Sequence, residues 1–236
     1  MSLNAHVPAQ DEPLGILGGT FDPVHNAHLR LAQCAFSGLG LSAIRWMPSG
    51  LPGHRDSPQA SIEDRLAMLR LALADEPHYR IDEFELRSGQ PTYTVHTLAR
   101  LREELGSAVP LVFLIGADQL LALDRWKDWP ALFDLAHFGV ARRPGYPVST
   151  ASLPAAVAKE YEKRRATPAD LRHRPAGLII PFDMTPLEIS ASAIRASLAL
   201  GRTPEGVLPE RVLAYALQHE TYRAIHQPPT EQKGKP

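Results

Sequence analysis

Residues 14–18 form a continuous apolar run ending in Gly-Gly, and after a short loop at 20–24 the apolar positions take a helical period over 25–39. A second apolar run at 43–47 leads into a Pro- and Gly-rich loop at 48–58. Ser61-Ile62-Glu63-Asp64 then has capping-box spacing ahead of Leu66, Met68, Leu69, Leu71 and Leu73, so a helix starts at Ser61. Residues 79–86 alternate like a partly exposed strand, 92–105 return to helical spacing, and 111–115 are the unbroken apolar run of a strand buried on both faces. Further strands are expected at 137–141 and 178–181, with helices beginning near Ser190 and after Pro209, while 142–154 reads as loop. Strands separated this regularly by helices predict an α/β fold, a doubly wound parallel sheet with flanking helices, whose ligands sit beyond the carboxyl ends of the strands. Chemistry is therefore expected in the loops that follow each strand.

At 236 residues and 44% hydrophobic content, the chain can bury the core of one sizeable domain. No repeat and no linker interrupts it, so a single domain is expected over 14–226, between flexible segments at 1–13 and 227–236. The 25 basic and 26 acidic residues nearly cancel, which points to neither nucleic acid nor a membrane as a partner and leaves any anion to be caught locally. Cys34 is the single cysteine and lies in an apolar helical pattern, where it reads as core. With no secretory-type start and no uncharged apolar run of about 18 residues, a cytoplasmic location is expected. The pattern is compatible with a homo-oligomer.

The segment Gly18-Gly19-Thr20-Phe21-Asp22-Pro23-Val24-His25-Asn26-Ala27-His28 joins the first strand to the first helix. Glycines let backbone amides approach an anion, the helix start offers unpaired N–H groups, and His25 and His28 stand one turn apart. Together these residues read as a phosphate cradle. Two imidazoles at that spacing are also half of a metal site, but no third ligand follows at helical spacing, and no protein metal site is assigned. The loop lacks Gly-Lys-Ser/Thr and Gly-x-Gly-x-x-Gly, so readings as a Walker-type ATPase or a dehydrogenase lose their support. A second segment, Ile189 to Arg195, offers Ser190 as an N-cap and Arg195 in the early helix as a phosphate partner; its plain alternative is a capped helix with a solvated arginine.

These motifs in their order resemble the bacterial nicotinate mononucleotide adenylyltransferases of the HxGH nucleotidyltransferase superfamily. The likeness runs over about 14–223. It includes Gly-Gly-Thr-Phe-Asp-Pro-Val-His at 18–25, Pro-Thr-Tyr-Thr at 91–94, Ile-Gly-Ala-Asp at 115–118, Trp126, Arg-Arg-Pro-Gly-Tyr at 142–146, and Ile-Ser-Ala-Ser-Ala-Ile-Arg at 189–195. The resemblance implies a Rossmann-like sheet and AMP transfer from ATP to nicotinate mononucleotide, with Mg²⁺ carried on the ATP. By the same likeness His25, His28 and Arg195 are the catalytic residues. Gly18, Gly19, Thr20, Phe21, His28, Gly116, Asp118, Ile189, Ser190 and Arg195 would bind ATP, and His54, Arg55, Tyr93, Thr94, Trp126 and Arg143 the nicotinate nucleotide. The chain departs from the family at Ala27, where glycine is usual between the histidines, and at Ser49-Gly50, where an asparagine is often found. Those departures keep open a non-catalytic nucleotide sensor, and the shared phosphate machinery keeps open an adenylyltransferase with another phosphate acceptor. Retention of His25, His28, Arg55 and Arg195 favours the enzyme.

Overall fold

The computed structural model describes residues 12–52, 57–89 and 91–223. In chain order its elements are β1 (Leu14–Gly19), α1 (Asn26–Leu39), β2 (Ala43–Pro48), β3 (Leu51–Pro52), α2 (Ile62–Ala72), β4 (Tyr79–Ile81), α3 (Phe84–Arg87), β5 (Pro91–Thr92), α4 (Thr94–Leu105) and β6 (Leu111–Gly116). There follow α5 (Ala117–Leu120), α6 (Leu132–Leu135), β7 (His137–Arg142), α7 (Ala155–Arg164), β8 (Ile179–Asp183), α8 (Ala191–Ala199) and α9 (Glu210–Gln218). Six strands form one sheet in the order β4-β2-β1-β6-β7-β8, every neighbouring pair parallel, and β3 pairs with β5 in a separate two-stranded ribbon.

The period-two alternation of β6 explains why its sequence is apolar throughout. Val112 and Leu114 join the core under α1, α2, α8 and α9, while Leu111, Phe113 and Ile115 join the core under α4, α6 and α7. Strand order reverses between β1 and β6, the position where an open parallel sheet leaves a crevice at its carboxyl edge. Pairing between these two strands ends at Ile16↔Phe113, so residues 17–19 and 114–116 are not partnered with each other. Gly18, Gly19 and Gly116 are thereby delivered to one crevice.

The observed elements depart from the pattern in particular places. The strand expected over 79–86 stops at Ile81, because the Asp82 carboxylate accepts the Phe84 N–H at 3.0 Å and starts the short helix α3, which buries Glu85 and Leu86. Helix α4 begins at Thr94 rather than 92, since Pro91 and Thr92 pair with Leu51 and Pro52. Helix α7 has no counterpart in the sequence reading; only Val157 and Tyr161 of its residues are buried, and the charges around them mask the period. Ser61 caps α2, its Oγ accepting from the Asp64 N–H at 3.0 Å and donating to the Asp64 carboxylate at 2.7 Å. Residues 1–11 and 224–236, which take in most of the two expected end segments, lie outside the described residues. Among the described residues no helix is long and apolar enough to cross a membrane.

Candidate active site

The loop leaving β1 is built around Phe21. Its φ is +48°, in the left-handed region, and its ring is buried, edge-on to His28 at 5.1 Å and tilted against Trp46 at 5.3 Å. A Cβ on Gly19 would lie 2.8 Å from that ring, so Gly19 is required by the loop's own packing as well as by any approach of an anion. The expectation that Phe21 meets ATP therefore narrows to its main chain, since its side chain is core.

His25 is the N-cap residue of α1 and His28 stands in the first turn. Their rings stack with centroids 3.7 Å apart. The His25 N–H donates to Nδ1 of His28 at 3.3 Å, which leaves Nε2 of His28 to carry the proton of the neutral ring. Burial holds His25 down to about 4, and burial together with the charge of His25 holds His28 well below the ordinary imidazole range. Both rings are therefore neutral at neutral pH.

Arg195 comes to the same loop from α8. Its Nη1 donates to the Asp22 carbonyl at 2.8 Å and lies 3.7 Å from the Asp22 carboxylate. Its Nη2 donates to Ser192 Oγ at 3.3 Å. That excludes the freely solvated arginine of the plain alternative. Ser190 caps α8 through the Ala193 N–H, at 3.5 Å, with Ile189 just before it. Asp22 is the hub of this region: its carboxylate also accepts from the Gln59 and Ala60 N–H groups and from the Tyr222 hydroxyl, at 2.8, 3.1 and 2.9 Å.

Beside the cradle lies a cavity lined by Gly18, Gly19, Thr20, Met47, Ser49, Glu85, Thr92, Thr94, Thr97, Phe113, Gln119 and Trp126. Trp126 stands edge-on to Phe113 at 5.9 Å. Arg65, almost wholly buried on α2, donates from Nη1 to the Thr20 carbonyl at 2.7 Å and the Ser49 carbonyl at 2.8 Å, tying the loop after β1 to the loop after β2. Gly50 answers the question of the missing asparagine, since a Cβ there would lie 2.3 Å from the Glu85 carbonyl oxygen. Only position 49 has room for a side chain. Ser49 Oγ is buried without a partner, as are His25 Nδ1, Arg65 Nε and Arg195 Nε. Buried polar atoms are seldom left unpaired, so their concentration here suits a polar ligand.

The remaining expected residues fall variously. Thr94 and Trp126 line the cavity; Tyr93, just before α4, lies outside its walls with Lys127 4.6 Å over its ring. Gly116 ends β6, its N–H held by the Gln119 side chain at 3.1 Å, and Asp118 is exposed in the first turn of α5, where Gly116 is the cap residue. Arg143 is exposed, stacked 4.9 Å over Tyr146, and is not among the cavity-lining residues. His54 and Arg55 lie outside the described residues. Among the described residues no group of three or more His, Cys, Asp or Glu stands together as a metal cage. Sequence reasoning missed Asp22, Arg65, Glu85, Thr97, Gln119 and Tyr222. An acid at 85 inside apparent strand alternation, and an arginine at 65 in the apolar stripe of α2, were the available signals.

The profile of the cytidylyltransferase-like family matches residues 16–197. A protein of Dechloromonas aromatica described as a probable nicotinate-nucleotide adenylyltransferase is 48% identical over 90% of this chain and 98% of its own length. One of Laribacter hongkongensis with the same description is 49% identical over 89% and 94%. Among solved structures, the nicotinic acid mononucleotide adenylyltransferase of Plasmodium falciparum complexed with NaAD aligns over 89% of this chain and 97% of that one. Its TM-score is 0.66 at 14% identity, a likeness of fold.

Proposed function

The chain belongs to the cytidylyltransferase-like family, among its nicotinate-nucleotide adenylyltransferases, and from that premise we infer that it transfers AMP from ATP to nicotinate mononucleotide, giving nicotinate adenine dinucleotide and pyrophosphate. The observation that carries the site assignment is the stacked His25–His28 pair at the start of α1, with Arg195 bound to the Asp22 carbonyl of the same loop, beside a cavity with Thr94 and Trp126 in its wall.

The nucleophile is the phosphate of the mononucleotide, which is anionic already and needs no base. The barrier is the meeting of two anions for in-line attack on the α-phosphorus, followed by the movement of charge onto pyrophosphate. His28, with its proton on Nε2, donates to the reacting phosphate beside the stacked ring of His25, while the Asn26 and His28 N–H groups at the start of α1 are already taken by the Val207 and His25 carbonyls. Arg195, steered by Asp22, holds the polyphosphate from the α8 side together with Ser190 and the main chain at Ile189. Gly18, Gly19, Thr20 and the Phe21 main chain border the phosphates, with Gly116 and Asp118 on the β6 side. We place the pyridine ring against Trp126 and its carboxylate at Thr94, with Tyr93, His54, Arg55 and Arg143 belonging to the acceptor side. Adenylyltransferases of this kind use a divalent metal, and we place it as Mg²⁺ carried on the polyphosphate of ATP.

The test compares kcat/KM for nicotinate and nicotinamide mononucleotides with ATP, in wild type and Thr94→Val. A site with donors aimed at two carboxylate oxygens leaves the amide's N–H unpaired. Wild type should prefer the nicotinate form, and the preference should shrink in the variant. Equal use of both forms by wild type overturns the acid selectivity, and no pyrophosphate release with either overturns the activity.

A further inference from the structure

Glu85 is the only ionisable side chain among the described residues lining the cavity. It is buried on α3, accepts a hydrogen bond on Oε1 from Thr97 Oγ1 at 2.5 Å, and receives another from Thr92. Neither partner is charged. Among the described residues the charged groups that act on it are Asp82, which opposes its ionisation, and Arg100, which favours it but is already bound to Asp82 at 2.5 Å and Glu104 at 2.7 Å. Burial pushes the Glu85 carboxyl above the usual glutamate range. Among the described residues Glu85 has no basic partner of its own, a costly state for a buried acid, and a glutamine would satisfy the two threonines equally well.

The position also conflicts, at first sight, with a cavity that takes a carboxylate. The ring of a nicotinate nucleotide resolves the conflict, because its N-glycosylated nitrogen is a permanent cation while the carboxylate lies on another edge. We propose that Glu85 is a specificity-determining residue that provides the counter-charge for the pyridinium ring and turns its carboxylate edge away, toward Thr94. The substrate class selected is the N-glycosylated pyridinium nucleotide, in preference to neutral-ring nucleotides of the same shape. This rests on the cavity being the acceptor site. Hydrogen bonds from the two hydroxyls offset part of that burial and aim the carboxylate, a pyridinium cation beside it would favour the ionised form, and the Glu85 main-chain carbonyl closely approaches Gly50 in the loop after β2.

The experiment measures kcat/KM for nicotinate mononucleotide and for its dihydropyridine counterpart, whose ring is neutral, in wild type and Glu85→Gln. Wild type should favour the cationic ring. In Glu85→Gln that preference should collapse by about tenfold or more, through KM for the cationic substrate, with the neutral-ring substrate and KM for ATP unchanged. Equal losses for both rings, or no loss for either, overturn the proposal. Failure of wild type to adenylate either substrate overturns the acceptor reading itself and removes the proposal with it. If Glu85→Gln does not fold, Thr97→Val keeps the charge and removes a donor to it. The pH below which the preference for the cationic ring disappears should then move upward, the two histidines cancelling in the ratio, and an unmoved ratio overturns the proposal.

Discussion

The imidazoles of His25 and His28 lie face to face, 3.7 Å between centroids and 19° from parallel, in a pocket where both are held neutral by burial. Each folded-state pKa is depressed, to about 4 for His25, below the ordinary value of 6.5. Between those limits the unfolded chain binds more protons than the folded one. The stability linked to the pair is therefore present above pH 6.5 and is lost as pH falls toward 4. A bound polyphosphate reverses the balance, since its charge favours imidazolium. Binding of ATP with Mg²⁺ near pH 6.5 should take up protons, measurable by titration calorimetry in buffers of different ionisation enthalpy. The uptake should fall in His25→Gln; no uptake by wild type contradicts the placement of phosphate at this pair.

Turnover should be more sensitive than stability to the second ring. His28 carries its proton on Nε2, while its ring packs on His25 and Phe21 and its Nδ1 accepts from the His25 N–H, so His28→Ala should fold with a lowered unfolding midpoint and lose roughly 10² to 10³ in kcat, the typical loss for one donor to a developing anion. Near-wild-type turnover of the folded variant assigns the phosphate contact elsewhere.

The fold and half of the site were legible because they rest on local signals. The unbroken apolar run of β6 is of the kind buried on both faces of a parallel sheet, and Gly-Gly before a helix carrying His25 and His28 reads as a candidate anion cradle from local sequence. Thr94 and Trp126 came from the family likeness. What stayed hidden depends on long-range contact. Arg65 reads as a charged residue in an amphipathic helix until β1 and β2 bring the Thr20 and Ser49 carbonyls over it. Glu85 reads as the outward position of a strand until Asp82 turns the chain into α3. Asp22 was visible in the motif but its role was not, because its partners Arg195 and Tyr222 lie far along the chain.

Arg195→Lys should weaken ATP use despite keeping the charge. The guanidinium reaches the Asp22 carbonyl and Ser192 together, and a single ammonium cannot hold both and still present two parallel donors to phosphate. Steady-state kinetics should show KM for ATP raised and kcat lowered, with KM for the mononucleotide little changed. Asp22→Asn, which removes the charge that steers Arg195, should move the same parameters in the same direction. An Arg195→Lys enzyme with unchanged ATP dependence returns Arg195 to a structural role within α8.

Arg65→Met tests whether the two substrate loops are held from beneath. One Nη1 group satisfies both the Thr20 and the Ser49 carbonyl, and the side chain is 1% exposed, so no water can readily replace it. Burial lowers the guanidinium pKa while the nearby Asp22 and Tyr222 oxygens offset part of that cost. Methionine keeps much of the volume but leaves two buried carbonyls without donors, a loss of about 2–4 kcal/mol. Urea unfolding should show that fall in the transition midpoint. The kinetic consequence should be joint, because Thr20 borders the phosphates and Ser49 the acceptor cavity: KM for ATP and for the mononucleotide should both rise. A variant that is as stable as wild type, or that loses affinity for one substrate alone, breaks the link between the two loops.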